Sequence, residues 1–592
     1  MPGHSLSPGA LGRGSYARAV HVVLGINCFS HDTAAAVLVD GRLIAFVEEE
    51  RLNRDVHTKR FPHQAISSVL RQAGVDTSDV DAVAFAHKPV VDFARSASDA
   101  LRRGSPKRLL TQAFVDARLA AREQMFRRHW SYKGPVIHVG HHLAHAAATF
   151  FSSPFDSAAV LTLDRGGDSL STTTNLGEGS RLSVRSQIRN PHSLGEVYTA
   201  VTRHIGFQSN DEGKVMGLAP YGSAKLVEDM KDLISLEPDG GFKVNLEWFR
   251  YQREGAPVSK LFLDRFGPPR VPESEITEQA KDLAYAVQEL TEVAGLHLAR
   301  ALRRASPSPY LCLSGGLVLN SVMNERLFQE AGFDDVYIQP AAGDAGNALG
   351  AALWVWHEHL GQPRAWQMDH AFYGESWDDS AYTAAYKRAG LSFRQVADPG
   401  GEAADRLAAG KVVGWFQGRA EAGPRALGAR SILADPRRAE MRDVVNERVK
   451  RREWFRPFAP SVLHERGGEY FEGYHPAPFM LTVLPIKEDK RSKIPAVTHV
   501  DGTGRVQSVT RDFNPAFHDL ISKFGDRTGV PVVLNTSFNL RGEPMVHRPI
   551  EAINDFLSSE MDSLFLGSFV VDKPGGQGQH EVGQSGASGS RY

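Results

Sequence analysis

The stretch VHVVLGINCFSHDTAAAVLVDGRLIAFVEEER, residues 20–51, decides the fold. It contains three apolar runs that are rich in strand-forming residues: the first ends at Gly25, and AAAVLV and LIAFVEE follow. The pair Asp40-Gly41 separates the last two runs and is typical of a tight hairpin turn. The sequence therefore predicts a strand, a polar turn that contains His31, and a β-hairpin.

A second segment, AAVLTLDRGGDSLSTTTN at 158–175, has the same strand–turn–strand pattern, which indicates an internal duplication. Strands are also expected at 136–140 and 310–320. Apolar residues at helical spacing predict helices over 65–74, 109–130 and 275–302 and from about residue 141 onward. A strand, a polar turn and a hairpin are typical of the start of an actin-, sugar-kinase- or Hsp70-type nucleotide-binding fold, so we expect a duplicated α/β domain.

The composition excludes several classes of protein. With 68 Lys plus Arg and 69 Asp plus Glu, the formal net charge is −1, which disfavours a general nucleic-acid binder. Cys28 and Cys312 are the two cysteines, too few for a disulfide scaffold or a cysteine-based zinc module, and they favour a reducing, cytoplasmic setting. No apolar run reaches about 18 residues, so no membrane span is expected. The N-terminus lacks the pattern of a secretion signal.

The 592 residues are enough for more than one domain. Residues 1–19, rich in Gly, Ser and Pro, are predicted to be a disordered leader. We expect one α/β domain over 20–360 and a second over 370–573, because the chain between them is polar and contains proline. Residues 574–592 are predicted to be a flexible tail.

The motif GHHLAHAAATF places His141 and His145 four residues apart, on one face of a helix, where two imidazoles can hold a divalent metal. Asp164 ends an apolar strand in LTLDRGGD, and Asp344 lies between glycines just before a helix. Both could complete such a site, although solvated histidines and turn-forming aspartates explain the same residues.

Two glycine-rich loops have the form of nucleotide contacts. In LSGGLVLN, Gly315 and Gly316 would let the backbone approach a nucleotide, and Asn320 could bond its base or ribose. In NDEGKVMGLAPYG, Lys214 lies in a loop with Gly217 and is suited to a phosphate.

The C-terminal half carries a dense set of basic and hydroxyl side chains in GRAEAGPRALGARSILADPR, VNERVKRREWFRPFAPSVL and NTSFNLRGEP. Arginine forks, hydroxyls and Gly/Pro loops suit the recognition of triphosphate and acyl phosphate. A solvated basic surface is the alternative, and it is disfavoured because the basic residues stand among apolar and aromatic ones.

Taken together and in this order, these motifs resemble the nodulation-protein/cephamycin-type O-carbamoyltransferase family over residues 21–570. The resemblance implies an N-terminal actin-like (ASKHA) domain, similar to the metal-dependent threonylcarbamoyl-transfer domain of tRNA modification, and a C-terminal YrdC-like α/β domain. The second domain would join carbamoyl phosphate and ATP, with Mg, into carbamoyl adenylate. The first would transfer the carbamoyl group to a hydroxyl of a small-molecule natural product of the antibiotic type.

The resemblance also implies roles for particular residues. The metal ligands would be His141, His145, Asp164 and Asp344. Fe(II) is the expected ion, although two His and two Asp do not separate it from Zn, Mn or Mg. The adenylate-forming site would be built from Arg425 and Lys450 as catalytic residues together with Arg456, Arg505, Asn535, Thr536 and Ser537.

His31 matches a histidine near the acceptor hydroxyl, as its general base or positioner. The neighbouring Asp32 is an alternative base, and a turn histidine that bonds backbone is the plain structural alternative. The sequence leaves the oligomeric state open, with a homodimer as one alternative.

The sequence leaves several rival functions open. A fused tRNA threonylcarbamoyl-transfer enzyme would need an RNA surface such as the basic stretch 95–110. An ATP-dependent scaffold related to Hsp70, or a sugar kinase, would use only the actin-like half. A hydrogenase-maturation carbamoyl carrier would need cysteine-rich zinc modules. A zincin protease would need a Glu between His141 and His145, where the sequence has His-Leu-Ala.

Overall fold

A computed structural model describes residues 20–88, 106–250 and 257–573, with side chains of 106–116 left out. The predicted leader and tail lie outside these residues, as does most of the basic stretch 95–110. Within the described residues, no helix combines the length and the apolar character that a membrane span would need.

The first sheet is built around the opening stretch of the sequence. Its order is β3-β2-β1-β4-β5, in which β1, β2 and β3 form an antiparallel meander and β4 and β5 run parallel to β1. Asp40 and Gly41, with φ of 49° and 75°, make the predicted hairpin turn, which needs positive φ at both positions. The strands are β1 Val22–Asn27, β2 Ala34–Val39, β3 Arg42–Glu48, β4 Ala82–Ala86 and β5 Val136–Val139.

The second sheet repeats this connectivity, which confirms the predicted duplication. Its order is β12-β11-β6-β7-β8, again a meander of three antiparallel strands followed by two parallel ones. Between β8 and β11 along the chain, β9 and β10 form a small antiparallel hairpin. The strands are β6 Ser157–Gly167, β7 Leu170–Glu178, β8 Arg181–Arg189, β9 Ile234–Leu236, β10 Phe242–Val244, β11 Tyr310–Ser314 and β12 Asp335–Ile338. Two such sheets constitute the actin-like fold predicted for this half.

Helices cover the two sheets and join them. Helix Asn347–Trp354 packs against both β1 and helix His141–Phe150. The approach is close enough that a Cβ at Gly350 would overlap the Ala144 carbonyl, so the small residues of NALGAALW are required there. The other helices of this half are Glu49–Asn53, His63–Ala73, Pro106–Trp130, Leu194–His204, Glu212–Leu218, Val227–Met230, Lys260–Phe266, Glu278–Ala305 and Ser321–Glu330.

The C-terminal half contains one mixed sheet of eight strands, in the order β13-β22-β21-β14-β15-β20-β16-β19, with a separate hairpin of β17 and β18. This confirms the α/β character predicted for the half, and its likeness to a YrdC-like domain stays a prediction. The strands are β13 Arg394–Gln395, β14 Val413–Phe416, β15 Arg430–Ala434, β16 Ala459–Leu463, β17 Val483–Pro485, β18 Thr503–Arg505, β19 Gln507–Val509, β20 Val532–Ser537, β21 Ser563–Leu566 and β22 Phe569–Asp572. The helices are Asp379–Arg388, Pro399–Ala408, Met441–Asp443, Gly467–Tyr470, Glu488–Arg491, Pro515–Thr528 and Pro549–Ser558.

Among the described residues, no strand of the two actin-like sheets pairs with a strand of the eight-stranded sheet. This separation supports the predicted domain limits, 20–360 and 370–573, which stay a prediction.

Candidate functional site

Four predicted metal ligands meet where the two actin-like sheets face each other. His141 and His145 lie on the helix that follows β5, and Asp164 lies at a bulge of β6, where the register with β7 shifts. Asp344 begins a short 3-10 turn before helix Asn347–Trp354. His141 Nε2 is 3.1 Å from Asp164 Oδ2, 3.2 Å from His145 Nε2 and 3.6 Å from Asp344 Oδ1.

This cluster has the character of a cation site. All four side chains are buried, and one donor atom of each lies within 4.8 Å of the others. Asp344 Oδ1 is buried and, among the described residues, has no hydrogen-bond partner, although a buried carboxylate oxygen without one is costly. Burial alone would lower the pKa of His141, but the carboxylates of Asp344 and Asp164 raise it to about 9. Two imidazoles and two carboxylates therefore fit a divalent metal.

His142 lies on the same helix but takes no part in the cluster. Its Nδ1 is 2.7 Å from Thr162 Oγ1, and burial lowers its pKa to about 3. This position agrees with a structural histidine.

His31, beside the metal cluster, faces a cavity of 280 Å³. Its Nε2 is 3.6 Å from Asp344 Oδ2, and its Nδ1 is 2.9 Å from Asp32 Oδ2. The negative charge of Asp344 raises the pKa of His31 to about 9. The other Asp32 oxygen is 2.6 Å from His57 Nδ1, so that Asp32 lies between two imidazoles.

The glycine-rich loop after β11 lies at the same cavity. The Gly316 N–H donates to Asp164 Oδ1 at 3.0 Å. This hydrogen bond fixes the carboxylate of Asp164, whose other oxygen faces His141. Gly315 has φ of 107° and contacts the Leu163 backbone. Asn320 lines the cavity, but its side chain caps helix Ser321–Glu330 and bonds Gln288 at 2.9 and 3.0 Å.

Gly315→Ala is expected to destabilise the protein by more than about 2 kcal/mol, because an L residue at this φ is strained and its Cβ would overlap the Leu163 carbonyl. Chemical denaturation measures the loss. Gly468→Ala is the matched control, since a Cβ there meets nothing within 4 Å. An equal, small effect in both variants would contradict the expectation.

Lys214 and Gly217 lie where the two halves meet and are not among the residues that line the cavity beside His31. Lys214 Nζ is 2.9 Å from Glu453 Oε1 and 3.1 Å from Asp211 Oδ1. A Cβ at Gly217 would lie 3.1 Å from Pro457. Their predicted contact with nucleotide stays a prediction.

A second cavity, of 180 Å³, lies in the C-terminal half at the end of β20. Six of the predicted residues line it: Arg425, Arg456, Arg505, Asn535, Thr536 and Ser537.

The cavity is rich in positive charge, and of its lining arginines only Arg456 has a carboxylate partner, Glu453, among the described residues. Removal from water and the neighbouring arginines hold the pKa of Arg505 well below its ordinary value and lower that of Arg425 to about 10. The Nε atoms of both are buried and, in the described ranges, have no hydrogen-bond partner. Such a wall is complementary to an anion.

Lys450 lies next to this cavity, where it bonds the loop that carries Ser537. Its Nζ donates to the carbonyl oxygens of Ser537 and Asn539 at 2.7 and 2.6 Å and to Asn539 Oδ1 at 2.6 Å. Lys450 thus holds the loop that carries Ser537, and the predicted catalytic role stays a prediction.

The two cavities share four lining residues: Gly213, Met216, Pro424 and Arg425. The shared loop is held from the N-terminal half, since Arg51 donates to the Gly423 carbonyl at 2.7 Å. Arg425 in turn donates to the Leu319 carbonyl at 3.2 Å. The cluster and the arginine-lined cavity are therefore adjacent.

Three cavity residues were not singled out as site residues from sequence. Arg452 lines the second cavity with its guanidinium over the Phe458 ring, and His57 and Arg165 line the first. Arg452 belongs to the basic residues of VNERVKRREWFRPFAPSVL that the sequence assigns to anion recognition, although the family resemblance gives it no role; no motif carries His57.

Fold and site together define a two-part α/β protein in which a candidate metal centre adjoins an arginine-lined cavity. Residues 22–353 match the family model described as the carbamoyltransferase N-terminus, and residues 404–573 match that of the carbamoyltransferase C-terminus. The chain belongs to the carbamoyltransferase family, which supports a transferase activity.

Two relatives match more than nine-tenths of the chain. An uncharacterised protein of Synechocystis sp. is 40% identical over 93% of this chain and 96% of its own. Nodulation protein NolNO of Sinorhizobium fredii is 38% identical over 92% of this chain and 80% of its own. Among solved structures, T. kodakarensis HypF matches with a TM-score of 0.29 and 12% identity over 58% of this chain and 48% of that one, a likeness too low to carry an argument.

Proposed function

We propose that this chain is an ATP-dependent O-carbamoyltransferase with two half-reactions. In the C-terminal half, water cleaves carbamoyl phosphate to carbamate and phosphate. A carbamate oxygen then attacks the α-phosphorus of ATP, bound with Mg, to give carbamoyl adenylate and pyrophosphate. In the N-terminal half, an acceptor hydroxyl attacks the carbamoyl carbon, its proton passes to a base, and AMP leaves.

The arginine-lined cavity supports the first half-reaction. A carbamoyl carbonyl is a poor electrophile because its nitrogen donates into it, and a mixed anhydride with AMP supplies a better leaving group. Arg425, Arg456 and Arg505 would bind the phosphates and disperse the charge that develops during transfer. Ser537 and Thr536 would position them through hydroxyls, in a loop held by Lys450.

The His/Asp cluster supports the second half-reaction. His141, His145, Asp164 and Asp344 would hold the divalent ion, for which we propose Fe(II). When bound, the ion would neutralise nucleotide phosphate charge and polarise the reacting centre. The N–H of Gly316 and the bulge of β6 keep Asp164 in place for this role.

His31 is proposed to position the acceptor hydroxyl or, once a bound ion offsets the Asp344 charge that raises its pKa, to act as the base for it. Both oxygens of Asp32 are occupied by imidazole nitrogens, so Asp32 orients His31 through Nδ1 rather than taking the proton itself. His31 Nε2 remains for the acceptor, beside the cluster. The acceptor is proposed to be a hydroxylated small-molecule natural product, and the first cavity is the place for it.

The observation that carries the proposal is the shared wall of the two cavities, with Arg425 in both linings. A labile adenylate formed in one cavity could reach the other without crossing bulk water.

The test is pyrophosphate release from ATP with and without carbamoyl phosphate, with no acceptor present. We expect release that depends on carbamoyl phosphate, followed by AMP and a carbamoylated product once an acceptor is added. Steady ADP formation instead would favour a kinase or an ATP-driven scaffold. Salt-sensitive tRNA binding would favour threonylcarbamoyl transfer to RNA.

A further inference from the structure

Asp168 and His87, which lie outside the metal cluster, form a chain of hydrogen bonds that ends on the cluster member His141. His87 follows β4 and His141 follows β5, so both lie at the carboxyl ends of adjacent parallel strands. His141 Nδ1 is 3.1 Å from His87 Nε2, and His87 Nδ1 is 3.3 Å from Asp168 Oδ1. Asp168 lies in the turn between β6 and β7, four residues after the cluster member Asp164.

The other oxygen of Asp168 is fixed by backbone donors. Asp168 Oδ2 accepts the N–H of His141 at 2.7 Å, at the start of helix His141–Phe150, and the N–H of Lys88 at 3.2 Å. Asp168 therefore positions both the backbone and, through His87, the side chain of His141.

This arrangement determines where the protons lie. A carboxylate accepts only, so His87 carries its proton on Nδ1 and offers Nε2 as an acceptor. His141 must then donate from Nδ1, so Nε2 is the nitrogen that gives up its proton and presents a lone pair when an ion binds. That Nε2 is the atom that faces Asp164, His145 and Asp344.

Asn347 is compatible with this assignment when its side-chain amide is turned by 180°. Its side-chain amide lies 3.4 Å from the same His141 Nδ1, and its Oδ1 is buried and without a hydrogen-bond partner among the described residues. With the amide turned so that Oδ1 faces His141 Nδ1–H, the oxygen gains a donor.

We infer that His87 and Asp168 are positioning residues that keep the proton of His141 on Nδ1 and so reserve Nε2 for the metal ion. This inference rests on the metal centre of the proposed function and adds a carboxylate–imidazole pair behind one ligand, the usual way in which a ligating histidine is oriented.

The test is Asp168→Asn in the full-length protein. The amide oxygen must face the N–H groups of His141 and Lys88, so the NH₂ group faces His87 Nδ1. His87 then takes its proton on Nε2, and His141 is forced to carry its proton on the Nε2 that would bind metal. We expect metal-free protein of near wild-type melting temperature that binds Co(II) about 10–100-fold more weakly.

The readouts are Co(II) titration of metal-free protein, followed by the visible spectrum of the ion, and metal content after gel filtration. His87→Leu, which removes the acceptor, is expected to weaken Co(II) binding likewise. Asp378→Asn is the control, because Asp378 also caps a helix but does so in the other half, at Asp379–Arg388.

The outcomes separate the inference from the proposed function. A wild type that binds no Co(II) would overturn both the metal centre and this role for His87 and Asp168. A wild type that binds Co(II), with Asp168→Asn and His87→Leu binding it equally well and with the same spectrum, would overturn the inference alone. Weaker binding in both variants and not in Asp378→Asn supports it.

Discussion

Asp344→Asn is expected to abolish carbamoyl transfer while carbamoyl-phosphate-dependent pyrophosphate release continues near the wild-type rate. Asp344 contacts His141, His145 and His31 but does not line the arginine-rich cavity. A Lewis-acid ion contributes several kcal/mol to a transition state, so transfer should fall by at least about 100-fold.

Pyrophosphate and carbamoylated acceptor are measured in the same reaction, with Asp335→Asn as the control. Asp335 is an exposed carboxylate at the start of β12 in the same half, and both half-reactions should survive its loss. Equal loss of pyrophosphate and product in Asp344→Asn would mean that the two chemistries do not occupy separate sites.

The fold of the N-terminal half could be predicted because its pattern is local. Asp40-Gly41 between two apolar runs defines the hairpin, and the same pattern recurs at 158–175, so the duplication can be read without tertiary information. The order of the eight strands in the C-terminal half could not be predicted. It depends on pairings between distant segments, such as β14 with β21 and β15 with β20, that no local pattern specifies.

Part of the candidate site can likewise be predicted from the sequence, and part of it cannot. His141 and His145 at helical spacing predict a shared face, and the structure brings them together with Asp164 and Asp344. The sequence does not predict which basic residues line the arginine-rich cavity and which bond the loops around it. Lys450 and Arg452 are two residues apart, yet the first bonds the loop Ser537–Asn539 and the second lines the cavity.

The sequence also does not predict the positions of His87 and Asp168 on which their proposed roles depend. His87 is an isolated histidine after a short strand, and its contact with His141 is 54 residues away along the chain. Only the parallel pairing of β4 with β5 brings the two imidazoles together.

Arg505→Ala is expected to lower pyrophosphate release by at least about 100-fold, the usual cost of removing one preorganised contact to transition-state charge. Arg505 lines only the arginine-rich cavity, and its guanidinium is crowded by Arg425, Arg452 and Arg456, so it gains most when an anion binds. The measurement is pyrophosphate release at saturating ATP and carbamoyl phosphate. Arg394→Ala, an exposed partner of Glu402 on β13, is the control.

Arg505→Ala should keep its transfer site intact, and this gives the variant a second use. Mixed with Asp344→Asn, it supplies the half-reaction that the other chain lacks. If carbamoyl adenylate passes along the wall formed by Gly213, Met216, Pro424 and Arg425, the mixture should form no more product than either variant alone. Restored transfer in the mixture would mean that the intermediate is released and recaptured, and that the adjacency of the cavities serves no channelling. Arg425→Ala cannot make this distinction, because Arg425 belongs to both cavities and its loss should impair both half-reactions.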